Sequence, residues 1–196
     1  MTRPDPRQRM IQSAALLMRE HGVEATSFSA VIEHSGAPRG SIYHHFPNGK
    51  AELVEAATRY AGDVIAAGLV AALGRSDPVA ALHGFTNAWR ATLADSDFAA
   101  GCPVVAATLE GDRSPAARDA AGGAFDRWET LLADAIAAHA VTPERARSLA
   151  TLVVAAIEGA VIVARAQRST DPLDRVAGEL ELLLSGTIDP AAGGSH

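Results

Sequence analysis

The sequence has one cysteine, one lysine and no long apolar run. With Cys102 as the only cysteine, neither an intrachain disulfide nor a multi-cysteine zinc site can form. No uninterrupted apolar run reaches the roughly 18 residues that a membrane-spanning helix needs. No charged segment followed by an apolar one resembles a secretory leader near the start. We therefore expect a cytoplasmic protein without a membrane segment.

Motifs of catalysis and of metal binding are also missing. The sequence has no Ser-His-Asp order typical of hydrolases, no glycine loop for phosphates and no pair of carboxylates in distinct surroundings. His44 and His45 are neighbours, so on a helix they point in different directions, and no second pair accompanies them. We predict that the protein is not an enzyme and that it binds neither a cofactor nor a metal.

Strand signals are absent, whereas helix signals are abundant. No segment alternates β-branched and polar residues, and alanine, the best helix former, supplies 42 of the 196 residues. Four predicted helix starts place a capping oxygen just before a proline that fits the first helical position. These starts are Asp77-Pro78, Ser114-Pro115, Thr142-Pro143 and Asp171-Pro172. The pattern predicts an all-α fold of about nine helices.

Charge is distributed unevenly along the chain. The net charge is −6, yet residues 1–50 carry six cations and four acids, while the rest carries 11 cations and 19 acids. A two-charge excess is ordinary by itself. The asymmetry is nevertheless typical of a small nucleic-acid-binding head on an acidic body.

The first 50 residues have the layout of a helix-turn-helix. An apolar stripe ending at His21-Gly22 predicts a first helix, and two shorter helices follow, the second of them over 38–46. Gly36 gives the turn between them its backbone freedom. A long fourth helix begins near Gly49 without a flexible linker, so it can transmit motion. We predict a three-helix DNA-binding domain at 1–49, a larger helical ligand-binding and dimerisation domain at 50–188, and a flexible tail at 189–196.

The second short helix carries side chains suited to a DNA groove. Arg39 can reach a guanine edge, and Tyr43 and His44 can donate hydrogen bonds. Gly40 and Ser41 are small enough to let the backbone approach a surface closely. Lys50, at the next helix start, can hold a phosphate together with the free backbone N–H groups there.

Residues 26–53, TSFSAVIEHSGAPRGSIYHHFPNGKAEL, closely resemble the helix-turn-helix signature of the TetR regulators. The resemblance implies that one set of side chains contacts phosphates or positions the head: Thr26, Ser27, Tyr43, His45 and Lys50. It implies that a second set faces the groove: Arg39, Gly40, Ser41 and His44. The sequence departs from the pattern at Ala37-Pro38, where many members have a capping Ser or Thr, so we expect no side-chain cap there.

The body resembles the LmrA/YxaF branch of that family in residues 101–104 (GCPV), 157–160 (IEGA) and 165–172. Regulators of this branch respond to drugs and aromatic natural products, which implies a ligand cavity between helices. The large body residues either pack as core or line such a cavity. The candidate lining residues are Phe85, Trp89, Leu93, Cys102, Val105, Thr108, Leu109, Phe125, Trp128 and Leu132. For Cys102 alone, a small buried hydrophobe is the default interpretation.

The last two long helices carry more apolar surface than one small bundle needs. Either this surface packs only within the chain, or the two helices pair with the same helices of a second chain in a four-helix interface. The candidate interface residues are Leu149, Val153, Ile157, Ala160, Val161, Ala164, Leu173, Val176, Leu180 and Leu184. Glu158 interrupts this apolar stripe, and we expect it to meet Arg165 or a polar group at the interface or in the pocket.

The predicted function is that of a transcriptional repressor. Its homodimer binds a palindromic operator in double-stranded DNA, and a small apolar or aromatic inducer releases it. The alternative is a helical small-molecule-binding or protein-interaction module without DNA readout. The sequence leaves open the operator, the inducer and the choice between repressor and activator.

Overall fold

A computed structural model describes residues 5–74, 77–110 and 114–188. Over these residues the chain forms nine helices and no strand, which confirms the predicted all-α fold. The predicted tail at 189–196 lies outside them. The helices are α1 (Pro6–Ala25), α2 (Phe28–Ser35), α3 (Ser41–His45), α4 (Lys50–Leu73), α5 (Pro78–Asp95), α6 (Pro103–Thr108), α7 (Pro115–Ala137), α8 (Pro143–Gln167) and α9 (Asp171–Ile188).

Two of the four predicted helix caps form as expected. The Asp77 carboxylate accepts a hydrogen bond from Ala80 N–H at 2.9 Å, and the Thr142 hydroxyl accepts one from Arg145 N–H at 3.4 Å. At the third start, α7 begins at Pro115 as predicted, but the buried Ser114 Oγ has no hydrogen-bond partner among the described residues, so that cap is wrong. At the fourth start, the helix begins at Asp171 itself rather than at the proline.

Two predicted boundaries in the first 50 residues also differ from the structure. The first helix continues to Ala25 beyond a non-helical residue, Gly22, with φ +79° and ψ +171°. The third helix covers only Ser41–His45, because the residues after Pro38 form a turn before the helix begins.

The chain divides into two compact units. Unit 1 comprises residues 1–64 and 101–124, so it contains the helix-turn-helix, the first part of α4, α6 and the start of α7. Here α1 packs against α2, α3 and α6, and the interior is closed by large side chains such as Met10, Met18 and Leu53. A backbone hydrogen bond of 2.7 Å from Gly101 N–H to the Arg19 carbonyl fixes the segment before α6 on α1.

Unit 2 comprises residues 65–100 and 125–196, and its helices α5, α8 and α9 pack on one another. Leu93, Trp128 and Leu173 lie in its core. An ion pair between Arg90 and Asp174 joins α5 to α9. The Arg165 guanidinium donates to the Ala99 carbonyl at 2.7 Å and so attaches the end of α8 to the loop after α5.

Candidate nucleic-acid interface and ligand cavity

The turn between α2 and α3 depends on Gly36. This residue has φ +61° and ψ +28°, the left-handed region that glycine adopts without a Cβ clash. The Ser35 hydroxyl accepts a hydrogen bond from Ala37 N–H at 3.3 Å, and the Pro38 carbonyl accepts one from Ser41 N–H at 3.0 Å. No side chain caps α3, as the Ala37-Pro38 departure predicts.

Helix α3 is held from one side and open on the other. Ile42 and Phe46 are fully buried in unit 1, and the Arg7 guanidinium lies 5.1 Å from the centre of the Phe46 ring. The opposite side presents Tyr43 and His44 to solvent, as the turn before the helix does Arg39 and Gly40, while Ser41 and His45 are half-buried. The two buried anchors therefore fix which face of this short helix is free to meet a ligand.

Tyr43 is the most exposed aromatic side chain of the candidate interface. Its side chain is 69% exposed, and its ring meets the Phe28 ring edge-on with the centroids 5.5 Å apart. Phe28 is the first residue of α2, so this contact joins the two helices of the motif at the surface. The phenol is thus oriented by packing while its hydroxyl stays available for a hydrogen bond.

Thr26 and Ser27 have different roles although they are adjacent. Thr26 is 1% exposed, and its hydroxyl donates to the Gly22 carbonyl at 2.8 Å, so it positions the segment before α2. Ser27 is exposed and caps α2, because its Oγ accepts from Ala30 N–H at 3.2 Å. Of the two residues, only Ser27 offers a side chain at the surface.

Lys50 is the first residue of α4, and its ammonium group donates to the Glu24 carbonyl at 2.8 Å. This bond ties the end of α1 to the start of α4 inside unit 1. The preceding residue, Gly49, has φ +80°. The Asn48 N–H donates to the Glu52 carboxylate at 3.0 Å, a bond that fixes the turn before α4.

Unit 2 contains an almost wholly apolar cavity of about 30 Å³. That volume holds no more than one or two water molecules, so the cavity leaves little room for an organic ligand in this structure. Phe85, Leu132 and Val154 are half-buried, and the other lining residues are buried. The lining residues are Leu69, Pro78, Ala81, Leu82, Phe85, Trp128, Leu132, Ile136, Val153, Val154, Ile157, Glu158 and Leu184.

Three of the ten predicted cavity residues line this cavity: Phe85, Trp128 and Leu132. Trp89 and Phe125 lie beside it in unit 2, where their rings meet those of Phe85 and Trp128 edge-on. The remaining five do not line it. Leu93 is a core residue of unit 2, whereas Cys102, Val105, Thr108 and Leu109 belong to unit 1, with Cys102 buried and Leu109 81% exposed.

Several lining residues escaped the prediction because it was led by aromatic side chains. On α5 the cavity uses Pro78, Ala81, Leu82 and Phe85, which recur at the three- and four-residue spacing of one helical face. That spacing is the signal that could have found them. Glu158 also lines the cavity, which is one of the two environments expected for it.

The structure places the predicted dimerisation residues inside the chain's own core. Nine of the ten are buried within unit 2, and Val176 is half-buried. Their periodicity marks the face of α8 and α9 that packs inwards in the single chain. The large apolar side chains that these two helices expose are Leu152, Ile162, Val163 and Leu182.

Two sequence models of known protein families match the chain. Residues 10–57 match the model for bacterial regulatory proteins of the tetR family. Residues 78–179 match the model for the C-terminal domain of LmrA/YxaF-like transcriptional regulators. The first match covers most of α1, all of α2 and α3 and the start of α4, and the second covers most of unit 2.

Similar whole proteins carry related descriptions. An HTH-type transcriptional regulator of Mycobacterium tuberculosis is 44% identical over 185 residues, covering 91% of this chain and 94% of the relative. The HTH-type transcriptional regulator YxaF of Bacillus subtilis is 29% identical, covering 93% and 97%. Among solved structures, the regulatory protein TetR from Rhodobacter sphaeroides superposes with a TM-score of 0.80 at 25% identity, covering 89% of this chain and 96% of that one.

Proposed function

The chain belongs to the TetR family of bacterial transcription regulators, and from this premise we propose that it is a ligand-responsive repressor. Its dimer binds a palindromic operator, and a small apolar or aromatic molecule releases it. Residues 1–49 read the DNA, and residues 50–188 bind the ligand and the second chain.

The observation that best supports DNA recognition is that α3 has one buried side and one exposed side. Because Ile42 and Phe46 are fully buried, the face with Arg39, Gly40 and Tyr43 is held outward. Arginine is the side chain that most often recognises guanine in the major groove, and a glycine beside it allows close approach. This face therefore supplies the base contacts.

Phosphate contacts come from around that helix. Ser27 and Tyr43 offer hydroxyl groups at the surface, and Lys50 contributes a positive charge at the start of α4. These contacts set the position of the head on the duplex and carry no sequence information themselves. They also make binding weaker as salt rises, because each neutralised phosphate releases counterions.

A second chain on the outer face of α8 supports operator recognition. The exposed residues Leu152, Ala155, Gly159, Ile162 and Ala166 recur at alternating spacings of three and four, as in helices that pair along a seam. The most apolar stretch of α8 is long enough to cross a membrane, yet only 39% of it is buried within the chain. Helix α4 is likewise long and apolar enough to cross a membrane, by length and composition alone. Pairing of α8 with its copy covers this apolar face and brings two heads to successive major grooves, about 34–36 Å apart.

The ligand response rests on the cavity and on the continuity of α4. This single helix begins with Lys50 and also carries Leu69, a cavity-lining residue. A ligand that opens the cavity displaces Leu69 and so acts on the helix that begins with a phosphate-binding residue. A coupling free energy of about 1–3 kcal/mol between ligand and operator is typical of such systems.

The test is a gel shift on the DNA flanking the gene, at several salt concentrations. We expect a discrete, competitor-resistant complex with a dissociation constant of about 10⁻⁸ to 10⁻¹⁰ M. Arg39→Ala should weaken operator binding by about tenfold or more and relax the preference at one base pair. Lys50→Gln should weaken binding to all sequences and reduce the slope of log affinity against log salt by about one.

Arg59→Gln is the matched control. Arg59 is an exposed cation on α4 that pairs with Glu55 at 2.9 Å, so its loss should leave the affinity and the salt slope unchanged. Absence of a complex at low salt, or equal losses in all three variants, would favour the alternative of a helical binding module without DNA readout.

A further inference from the structure

The buried indole ring of Trp89 carries a hydrogen-bond donor that no described residue accepts. Trp89 lies on α5 and is 8% exposed, and its Nε1–H has no hydrogen-bond partner among the described residues. An indole N–H can only donate, so inside a protein it needs an acceptor. A buried donor without one is costly and therefore unusual. The acceptor that the chain does not supply is one that a ligand can supply.

Trp89 continues the face of α5 that lines the cavity of unit 2. That face uses Pro78, Ala81, Leu82 and Phe85. Trp89 follows Phe85 by four residues, so it lies on the same side of the helix one turn further on. The two rings meet edge-on with their centroids 6.4 Å apart. The donor therefore belongs to a side chain in direct contact with the cavity wall.

The packing of α5 on α9 shows at which end of the cavity Trp89 lies. Arg90, the next residue of α5, pairs with Asp174 in the first turn of α9, whereas Leu184, near the end of α9, lines the cavity. Trp89 thus lies beyond the cavity, towards the start of α9. A molecule seated against Phe85 reaches the indole by extending about one helical turn, roughly 5 Å.

The surroundings favour an uncharged acceptor. The cavity lining is apolar apart from Glu158. Burying an ionised group costs far more than burying a neutral polar one, and a single neutral N–H does not replace the hydration of an ion. A carbonyl or ether oxygen needs only one donor to replace the water that it leaves.

We propose that Trp89 is a specificity-determining residue of the ligand site in unit 2, where its Nε1–H donates to a neutral oxygen acceptor on an otherwise apolar ligand. This inference rests on the proposed ligand response and names the polar group that the ligand carries. The cavity of about 30 Å³ is enlarged by displacing the half-buried side chain of Phe85. Because Phe85 both lines the cavity and contacts the indole, its displacement brings the ligand to Trp89.

The test compares two probes of nearly the same shape, the ketone 4-phenylbutan-2-one and the hydrocarbon 2-methyl-4-phenylbut-1-ene, in which a methylene group replaces the carbonyl oxygen. Affinities for the full chain without DNA are measured by tryptophan fluorescence, in the wild type and in Trp89→Phe. The loss on mutation is compared between the probes, since the probes themselves differ in hydration. We expect Trp89→Phe to weaken the ketone about three- to tenfold more than the hydrocarbon.

Magnetic resonance reports on the hydrogen bond itself. The chain has two tryptophans, so protein labelled with heavy nitrogen gives two indole N–H signals. We expect the ketone to move the Trp89 signal downfield and the hydrocarbon to leave it without such a shift. A tryptophan that only packs against the ligand would respond alike to both probes.

Trp128→Phe is the matched control, because Trp128 is the other tryptophan and lines the cavity. This change removes contact area, so it should weaken both probes to a similar extent. It also leaves one indole signal, which identifies that of Trp89. If Trp89→Phe does not fold, judged by thermal unfolding, the shift of this signal decides the question alone.

Three results overturn the inference. They are an equal loss of affinity for both probes in Trp89→Phe, a Trp89 signal that responds alike to both probes, and no binding of the ketone up to about 10 mM.

The outcome is separable from that of the proposed function. If the ketone binds through Trp89 but leaves the operator complex intact in the gel shift, the role of Trp89 stands and the release mechanism fails. If the operator complex forms and neither probe binds, DNA reading stands and the inferred role of Trp89 fails.

Discussion

Gly62 illustrates how a single missing Cβ can set a helix contact. It lies on α4 within unit 1, and a Cβ built on it would come 2.7 Å from the Cβ of Ala124 on α7. Real Cβ atoms do not approach so closely, and neither atom belongs to a flexible side chain. The two helices therefore meet at this point only because one partner is glycine and the other alanine.

We expect Gly62→Ala to lower the free energy of unfolding by about 1–3 kcal/mol, because the helices must move apart. Gly68→Ala on the same helix is the matched control, since a Cβ there meets nothing within 4 Å. That change should stabilise the helix by about 0.5–1 kcal/mol. Urea unfolding of both variants measures the two effects, and a stabilised Gly62→Ala protein would refute the close contact.

Glu158 and Thr26 show what sequence can predict for individual residues. The apolar stripe of α8 makes Glu158 conspicuous, so its unusual environment could be predicted, but the choice between interface and cavity needed the neighbouring helices. Thr26 was assigned by resemblance to phosphate contact or positioning. Thr26 is 1% exposed and its hydroxyl donates to the Gly22 carbonyl, a geometry that favours positioning.

At the scale of the elements, the turn before α3 depends on glycine for its geometry. Gly36 has φ +61°, and a Cβ on it would meet nothing within 4 Å, so only the backbone conformation demands glycine. We expect Gly36→Ala to destabilise the protein by about 1–2 kcal/mol. Gly36→Asn should recover part of that loss, because asparagine tolerates the left-handed region.

Thermal unfolding of the two variants, together with a gel shift, checks this prediction. The turn sets the orientation of α3 relative to α2. Operator affinity should therefore fall in Gly36→Ala together with stability, and should partly recover in Gly36→Asn. Equal stability of the alanine and asparagine variants would mean that the turn relaxes into another conformation.

Helix starts could be predicted well from the sequence, and helix faces less well. Asp77 and Thr142 cap as predicted because the bond is local and needs only the next three residues. Periodicity on α8 correctly found an apolar face, but it could not say that this face packs on α5 and α9. Periodicity did not identify the second apolar face, with Leu152 and Ile162, because the other residues on it are the small residues alanine and glycine.

At the scale of the whole molecule, the proposed dimer depends on the outer face of α8. Ile162 lies on this face and is 53% exposed, so Ile162→Glu leaves the core of unit 2 untouched. We expect it to raise the dimer dissociation constant by at least about tenfold, because two carboxylates would meet across the two-fold axis. Operator affinity should fall in parallel.

Sedimentation velocity over a range of concentrations measures the change. Val70→Glu is the control, since Val70 is a similarly exposed apolar residue on α4. If Val70→Glu dissociates the dimer and Ile162→Glu does not, the second chain sits elsewhere on the molecule.

Lys50 is the only lysine in the chain, and it lies at the start of α4 in the proposed DNA contact. Reagents that modify side-chain amines therefore meet one target, and its reactivity reports the state of that contact. Bound operator should shield the amine, and release should expose it again. Isotopically labelled methyl groups placed on amines would give one side-chain signal, from Lys50, which differs in chemical shift from that of the terminal α-amine and should follow operator occupancy with no mutation anywhere in the protein.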